Sequence, residues 1–82
     1  MKLSNDIIVQ ELDEDAILLD MGSESYYGLN ETGHLILSMV SSGASREEVV
    51  SKLTQIYDVD AKMAGHDFDL LISELKRKNF LI

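Results

Sequence analysis

The 82-residue sequence predicts an α+β domain of winged-helix-like character, a three-stranded antiparallel meander followed by three helices. Three observations predict it. The first half alternates short apolar runs rich in β-branched and aromatic residues with turn formers, whereas the second half repeats its apolar residues every three or four positions. Helix-capping residues stand at the starts of the first two of these periodic segments. The chain is too short for two domains of about 100–200 residues each, so residues 1–82 are expected to be one folding unit.

The strands are expected at Ile7–Leu12, Ala16–Asp20 and Ser25–Leu29, joined by the three-residue connectors Asp13-Glu14-Asp15 and Gly22-Ser23-Glu24. In the third strand Leu29 enters a helix and faces the core; alternation then turns Tyr27 inward and Tyr26 outward. Asn30 is the N-cap of a first helix over Glu31–Ser41, with Glu31 in its first turn and Leu35, Ile36, Met39 and Val40 as its apolar set. Ser42-Gly43-Ala44 ends that helix. Ser45 and Glu48 form a capping box for a second helix over Arg46–Tyr57, which carries Val49, Val50, Leu53, Ile56 and Tyr57. The third helix spans Ala61–Lys78 with its main stripe at Ala64, Phe68, Leu71, Ile72 and Leu75, and Phe80-Leu81-Ile82 closes the chain as an apolar tail.

Composition narrows the function. Seven Lys and Arg against fifteen Asp and Glu give a net charge of −8, which repels the phosphates that dominate nucleic-acid affinity. The triplet Lys76-Arg77-Lys78 is better read as complementing the negative end of the third helix than as a DNA-contacting face. No cysteine is present, which removes disulfides, thiolate metal sites and a thiol nucleophile. Without a leader-like segment or an apolar run near 18 residues, the chain is expected to be cytoplasmic and to make no membrane contact.

Neither His34 nor His66 has ligands at metal-binding spacing, and the clusters Glu11-Asp13-Glu14-Asp15 and Asp58-Asp60 lack the calcium-loop pattern. No carboxylate pair sits in an apolar surround that would tune it for acid–base work. The expectation is a non-catalytic protein with no cofactor and no metal.

The third helix holds two apolar residues outside its stripe. At roughly 100° per residue, with Phe68 at zero, Met63 and Leu70 fall near 220° and 200°, away from the core. Asp67, Leu71, Glu74 and Lys78 lie at roughly 240–300°, so one flank sets apolar knobs beside carboxylates.

The stretch Tyr26-Tyr27-Gly28-Leu29-Asn30-Glu31-Thr32-Gly33-His34-Leu35-Ile36-Leu37 resembles the PqqD-like family, whose members carry a Leu-Asn-x-Thr-Gly/Ala-x-x-Ile-Leu segment where a strand enters the first helix. The similarity runs on through Gly43, Glu47-Glu48-Val49-Val50, Leu53, Tyr57-Asp58-Val59, Asp67-Phe68-Asp69-Leu70-Leu71, Leu75 and the terminal Phe80-Leu81-Ile82, from about Ile7 to Ile82. The resemblance implies a stand-alone recognition element for ribosomally made, post-translationally modified peptides. Such a domain binds the leader of a precursor peptide as an added strand, in a cleft between the third strand and the third helix. Its length and Tyr-Tyr-Gly-Leu-Asn stretch look most like members from lasso-peptide clusters, which act with a separate leader protease and cyclase. A chaperone for a radical SAM enzyme in pyrroloquinoline quinone assembly is the close alternative, and a DNA-binding winged helix the remote one.

Edge-strand addition is nearly sequence-blind, so adjacent side chains must supply selectivity. The peptide-binding candidates are Ser25, Tyr26, Tyr27, Gly28 and Leu29 on the third strand, and Met63, Asp67, Leu70, Leu71, Glu74 and Lys78 on the third helix. Gly28 is expected to permit close backbone approach. A monomer or weak dimer is expected.

Overall fold

A computed structural model describes residues 1–82 and contains β1 (Ile7–Leu12), β2 (Asp15–Asp20), β3 (Ser25–Leu29), α1 (Glu31–Ser41), α2 (Arg46–Ile56) and α3 (Ala61–Arg77). The sheet is antiparallel in the order β1-β2-β3, which leaves β1 and β3 as its edges.

The two hairpin loops differ from the expected three residues. Leu12 pairs with Asp15, which shortens the first loop to Asp13-Glu14, and Asp13 takes the left-handed conformation (φ 56°) that Asp tolerates better than most residues. Asp20 pairs with Ser25, so the second loop has four residues, Met21 to Glu24. Its start is fixed by the Asp20 carboxylate, which accepts from the N–H groups of Gly22 (2.9 Å) and Ser23 (3.3 Å).

Register sorts the strand residues by face. The rows Val9–Leu18–Tyr27 and Glu11–Ala16–Leu29 share the helix side, where Ala16, Leu18 and Leu29 are buried. Ile8–Leu19–Tyr26 and Gln10–Ile17–Gly28 share the opposite side, and Tyr26 there is 75% exposed. The inward Tyr27 and outward Tyr26 follow the alternation.

Each helix begins at a side-chain cap. The Asn30 side chain accepts from Gly33 N–H at 2.9 Å, Ser45 and Glu48 close a reciprocal capping box, and Asp60 accepts from Met63 N–H at 2.8 Å. Two helices end in Schellman motifs. At the end of α1 the N–H of Gly43 (φ 96°) bonds the Val40 carbonyl and that of Ala44 the Met39 carbonyl, and at the end of α3 the N–H groups of Asn79 (φ 66°) and Phe80 bond the carbonyls of Lys76 and Leu75 in the same way. The second motif brings the buried Phe80 back onto the buried Leu75, the apolar contact typical of this cap. It also makes α3 stop at Arg77, with Lys78 as its C-cap.

Fourteen buried apolar residues form one core, in which Ile36, Leu37 and Val40 of α1 meet Val49 and Leu53 of α2 and Ala64, Phe68, Ile72 and Leu75 of α3. Leu37 replaces Leu35 and Met39 as a fully buried residue, because α1 is covered on more than one side and its buried arc is rotated from the expected one. Ile56 ends α2 and is half exposed, since the following Tyr57 leaves the helix and turns back over the core edge. Leu71 is half-buried at the rim.

The chain ends meet, a feature absent from the sequence reading. Leu3 pairs antiparallel with Leu81, supported by bonds from Ser4 N–H to Phe80 C=O (3.0 Å) and from Ile82 N–H to Lys2 C=O (2.9 Å). Phe80 and Leu81 are therefore core residues, whereas Ile82 lies 62% exposed beyond them.

A candidate peptide-binding cleft

The edge of β3 and one flank of α3 face each other across an open cleft of about 460 Å³, lined by Tyr27, Asn30, Thr32, Gly33, Ile36, Asp67, Leu70, Leu71 and Glu74. It exists because α3 packs on α2 and stands off from β3, while α1 rests on β2 and β3 and supplies the floor. The buried Ile36 lies at its base. Gly33 stands in the first turn of α1, where a Cβ would come 3.2 Å from the Leu29 side chain, so α1 is seated closely on the end of β3.

One wall is the edge strand itself. β3 has β2 as its sole strand neighbour, so alternate N–H and C=O groups along it point into open space. The other wall is the flank of α3. Leu70 is 58% exposed, and Leu71, half-buried where it packs on the core, continues this hydrophobic surface into the cleft. Half-buried Tyr27 closes one end, its ring 5.9 Å from that of Phe80 and 5.8 Å from the Lys78 ammonium.

The charged groups of the cleft are unequally matched. Glu74 accepts from the Arg77 guanidinium at 2.9 Å and lies 3.7 Å from Lys78. The Arg77 hydrogen bond is the main cause holding its carboxyl below the usual carboxylate range, against partial desolvation. Asp67 takes part in no ion pair and no hydrogen bond. Two cations of the triplet Lys76-Arg77-Lys78 are thus turned onto Glu74 instead of being splayed outward as a phosphate-binding face.

Of the residues singled out in the sequence, the structure brings Tyr27, Asp67, Leu70, Leu71 and Glu74 together in the cleft and sets Lys78 at its end. Ser25 belongs to the open edge. Tyr26 and Gly28 are on the outer sheet face, and nothing lies within 4 Å of a Cβ built on Gly28. Leu29 directs its side chain into the core, which leaves only its backbone for the edge. Met63 is exposed as expected, but it lines a different groove with Arg46, Asp60, Lys62, His66 and Asp69. The angular reading set it beside Leu70, yet Met63 lies two turns nearer the start of α3, where α2 is the neighbour.

Asn30, Thr32, Gly33 and Ile36 line the cleft without having been singled out. Their signal was present in the Leu-Asn-x-Thr-Gly segment, which capping logic explains so completely that its second role as a wall stays hidden.

Elsewhere, polar side chains serve structure. His34 donates from Nδ1 to the Glu14 carbonyl at 2.9 Å, pinning α1 to the first hairpin. Arg46 grips Asp69 through two bonds of 2.9 and 3.0 Å and lies over the Phe68 ring. No group of three His, Asp or Glu side chains converges in metal-binding geometry. No helix is long and apolar enough to cross a membrane.

Comparison with known proteins yields one family and close structural neighbours. Residues 15–81 match the family model described as Coenzyme PQQ synthesis protein D (PqqD). TbiB1, solved in complex with the TbiA(beta) leader peptide, superposes with a TM-score of 0.90 at 28% identity, over 99% of this chain and 94% of that one. A lasso peptide synthetase B1 complexed with the leader peptide superposes with a TM-score of 0.93 at 32% identity, over 99% of this chain and 95% of that one. No curated protein matches.

Proposed function

The chain belongs to the PqqD family, and from that premise we propose that it is a non-catalytic recognition element for the leader of a ribosomally made precursor peptide. The leader adds as an antiparallel strand to β3 and sets its inward side chains against α3. The domain then delivers the precursor to separate processing enzymes, a leader protease and a cyclase of lasso-peptide assembly. The observation that carries the reading is the unpaired β3 edge opening directly onto an apolar flank of α3, in a fold whose similar solved structures both hold leader peptides.

The physical logic has two parts. Backbone pairing along five residues gives affinity without selectivity, and the pocket of Tyr27, Leu70 and Leu71 adds selectivity for alternate side chains. Burying one aliphatic side chain of the ligand there contributes about 1.5–3 kcal/mol. The family model points to coenzyme PQQ synthesis, where the partner would be a radical SAM enzyme, as the second reading, while the lasso peptide synthetase B1 complex favours the lasso system.

Titration with lasso-type leader peptides and with the TbiA(beta) leader tests the proposal when combined with mass spectrometry. Saturable binding with the peptide mass unchanged is expected. Absence of binding across such leaders sinks the recognition role, and cleavage or any mass shift by the purified protein with ATP and common metals sinks the non-catalytic one.

A further inference from the structure

The cleft is electrically polar along its length. We infer that it selects a leader segment in which a basic residue precedes an acidic one by four or six positions, and that this charge order fixes the direction in which the segment enters. The inference rests on the leader-binding reading above and adds to it a rule for the ligand.

The two charges lie on one flank of α3. Asp67 and Lys78 are eleven residues apart, which on a helix places them on nearly the same face and about 16 Å apart. At one end the half-buried Asp67 lines the cleft with no cation near enough to pair. At the other, Arg77 and Lys78 share the single carboxylate of Glu74, which leaves a surplus positive charge. No Lys or Arg occurs between Leu3 and Ser45, so the opposite wall, built from β3 and the first turns of α1, supplies no cation to Asp67.

Lys78, at the end of α3, lies over Tyr27, whereas Glu31, in the first turn of α1 just after β3, accepts a 2.6 Å bond from the hydroxyl of Tyr57 in the segment that leads into the start of α3. β3 therefore runs from the Lys78 end toward the Asp67 end. An antiparallel strand beside it starts near Asp67 and finishes near Lys78. At about 3.3 Å per residue, four to six positions of such a strand cover about 13–20 Å and so bracket the 16 Å between the charges, and the spacing is even because only alternate side chains share the face turned to α3. A basic residue early and an acidic residue later meet opposite charges at both ends, whereas the reverse order, or parallel insertion, meets like charges at both.

Each half-exposed pair changes affinity by at most about fivefold. Exchanging the two ligand charges turns two attractions into two repulsions, so the expected penalty is about tenfold at low ionic strength, falling toward parity near 1 M salt.

The test is selection from a displayed library of random 15-residue peptides, followed by titration of the enriched sequence and a version with its basic and acidic residues exchanged. Enriched peptides are expected to carry Lys or Arg four or six positions before Asp or Glu, and the exchanged peptide to bind about tenfold more weakly. Asp67→Asn removes the basic preference alone, and the double change Asp67→Lys with Lys78→Glu reverses the order. Enrichment of Leu70-dependent peptides without charge order, or a double variant that keeps the parental preference, overturns the inference while leaving leader binding intact. A library that yields no Leu70-dependent binder overturns the leader-binding reading and the inference with it.

Discussion

The sheet has two open edges, β1 and β3, and their backbones offer a ligand the same ladder of N–H and C=O groups. Their surroundings differ. Beside β3 stand Leu70 and Leu71 of α3, with Tyr27 and Ile36 completing an apolar trough. β1 has exposed Gln10 and Glu11, half-exposed Ile8 and Leu12, and at its hairpin end a hollow lined by Leu12, Asp13, Glu14 and Asp15. A peptide pairing with β1 gains hydrogen bonds that replace those it made with water, a net of about 1 kcal/mol each, but no apolar burial comparable to that beside β3. An edge becomes a recognition site when a second element stands beside it at side-chain distance. Here the short Schellman-capped turn between α1 and α2 and the packing of α3 on α2 create that distance.

The largest effect that probes this contrast comes from two neighbours on α3. Ile72→Asp places a charge in the core and is expected to abolish the folded circular-dichroism signal at 25 °C, since a domain of this size has only about 3–5 kcal/mol to lose. Leu70→Asp, about 160° away around the helix, is expected to melt within a few degrees of the parent and to bind leader roughly tenfold to a hundredfold more weakly. Equal melting losses in the two variants, or parental leader affinity in Leu70→Asp, break the distinction between core face and cleft face.

A smaller effect is expected at Asn30, which caps α1 and lines the cleft. Asn30→Ala removes the bond to Gly33 N–H and should cost about 1 kcal/mol in urea unfolding, with a drop in leader affinity. Asp60→Ala removes the equivalent cap of α3 away from the cleft and should cost a similar amount of stability without that drop.

The smallest effect belongs to the β1 side. A hydrogen bond and repulsion from Glu31 hold the Glu14 carboxyl above its ordinary value of 4.5, while Glu31 is held below that value chiefly by the bond from Glu14, with the 2.6 Å bond from the Tyr57 hydroxyl second. Folding therefore favours protonated Glu14. That stabilisation is complete below 4.5 and is lost as pH rises through the raised value, leaving repulsion at pH 7. Glu14→Gln keeps a donor toward Glu31 without the charge, so it should raise the melting temperature at pH 7 and lose its advantage below 4.5, with leader affinity unchanged. A gain that persists at low pH contradicts the linkage.

Much of this was legible in the sequence, for identifiable reasons. Asn30 and Ser45 announce helix starts because local caps need no tertiary context, and Tyr26 and Tyr27 take opposite faces because strand alternation is geometric. Long-range features were not readable. The pairing of Leu3 with Leu81 joins opposite ends of the chain, and the burial of Leu37 depends on which helices cover α1. Within the site, Leu70 and Asp67 could be located from helix angle alone. Met63 has a similar angle but a different neighbour, and angle says nothing about position along the helix axis.

Amide hydrogen exchange, strand by strand with and without leader peptide, tests the central claim most directly. Protection gained at Ser25–Leu29 and in the Asp67–Glu74 segment of α3, with Ile7–Leu12 unchanged, is the predicted result. Protection confined to Ile7–Leu12 would contradict it, because the bare edge would then be the one that binds.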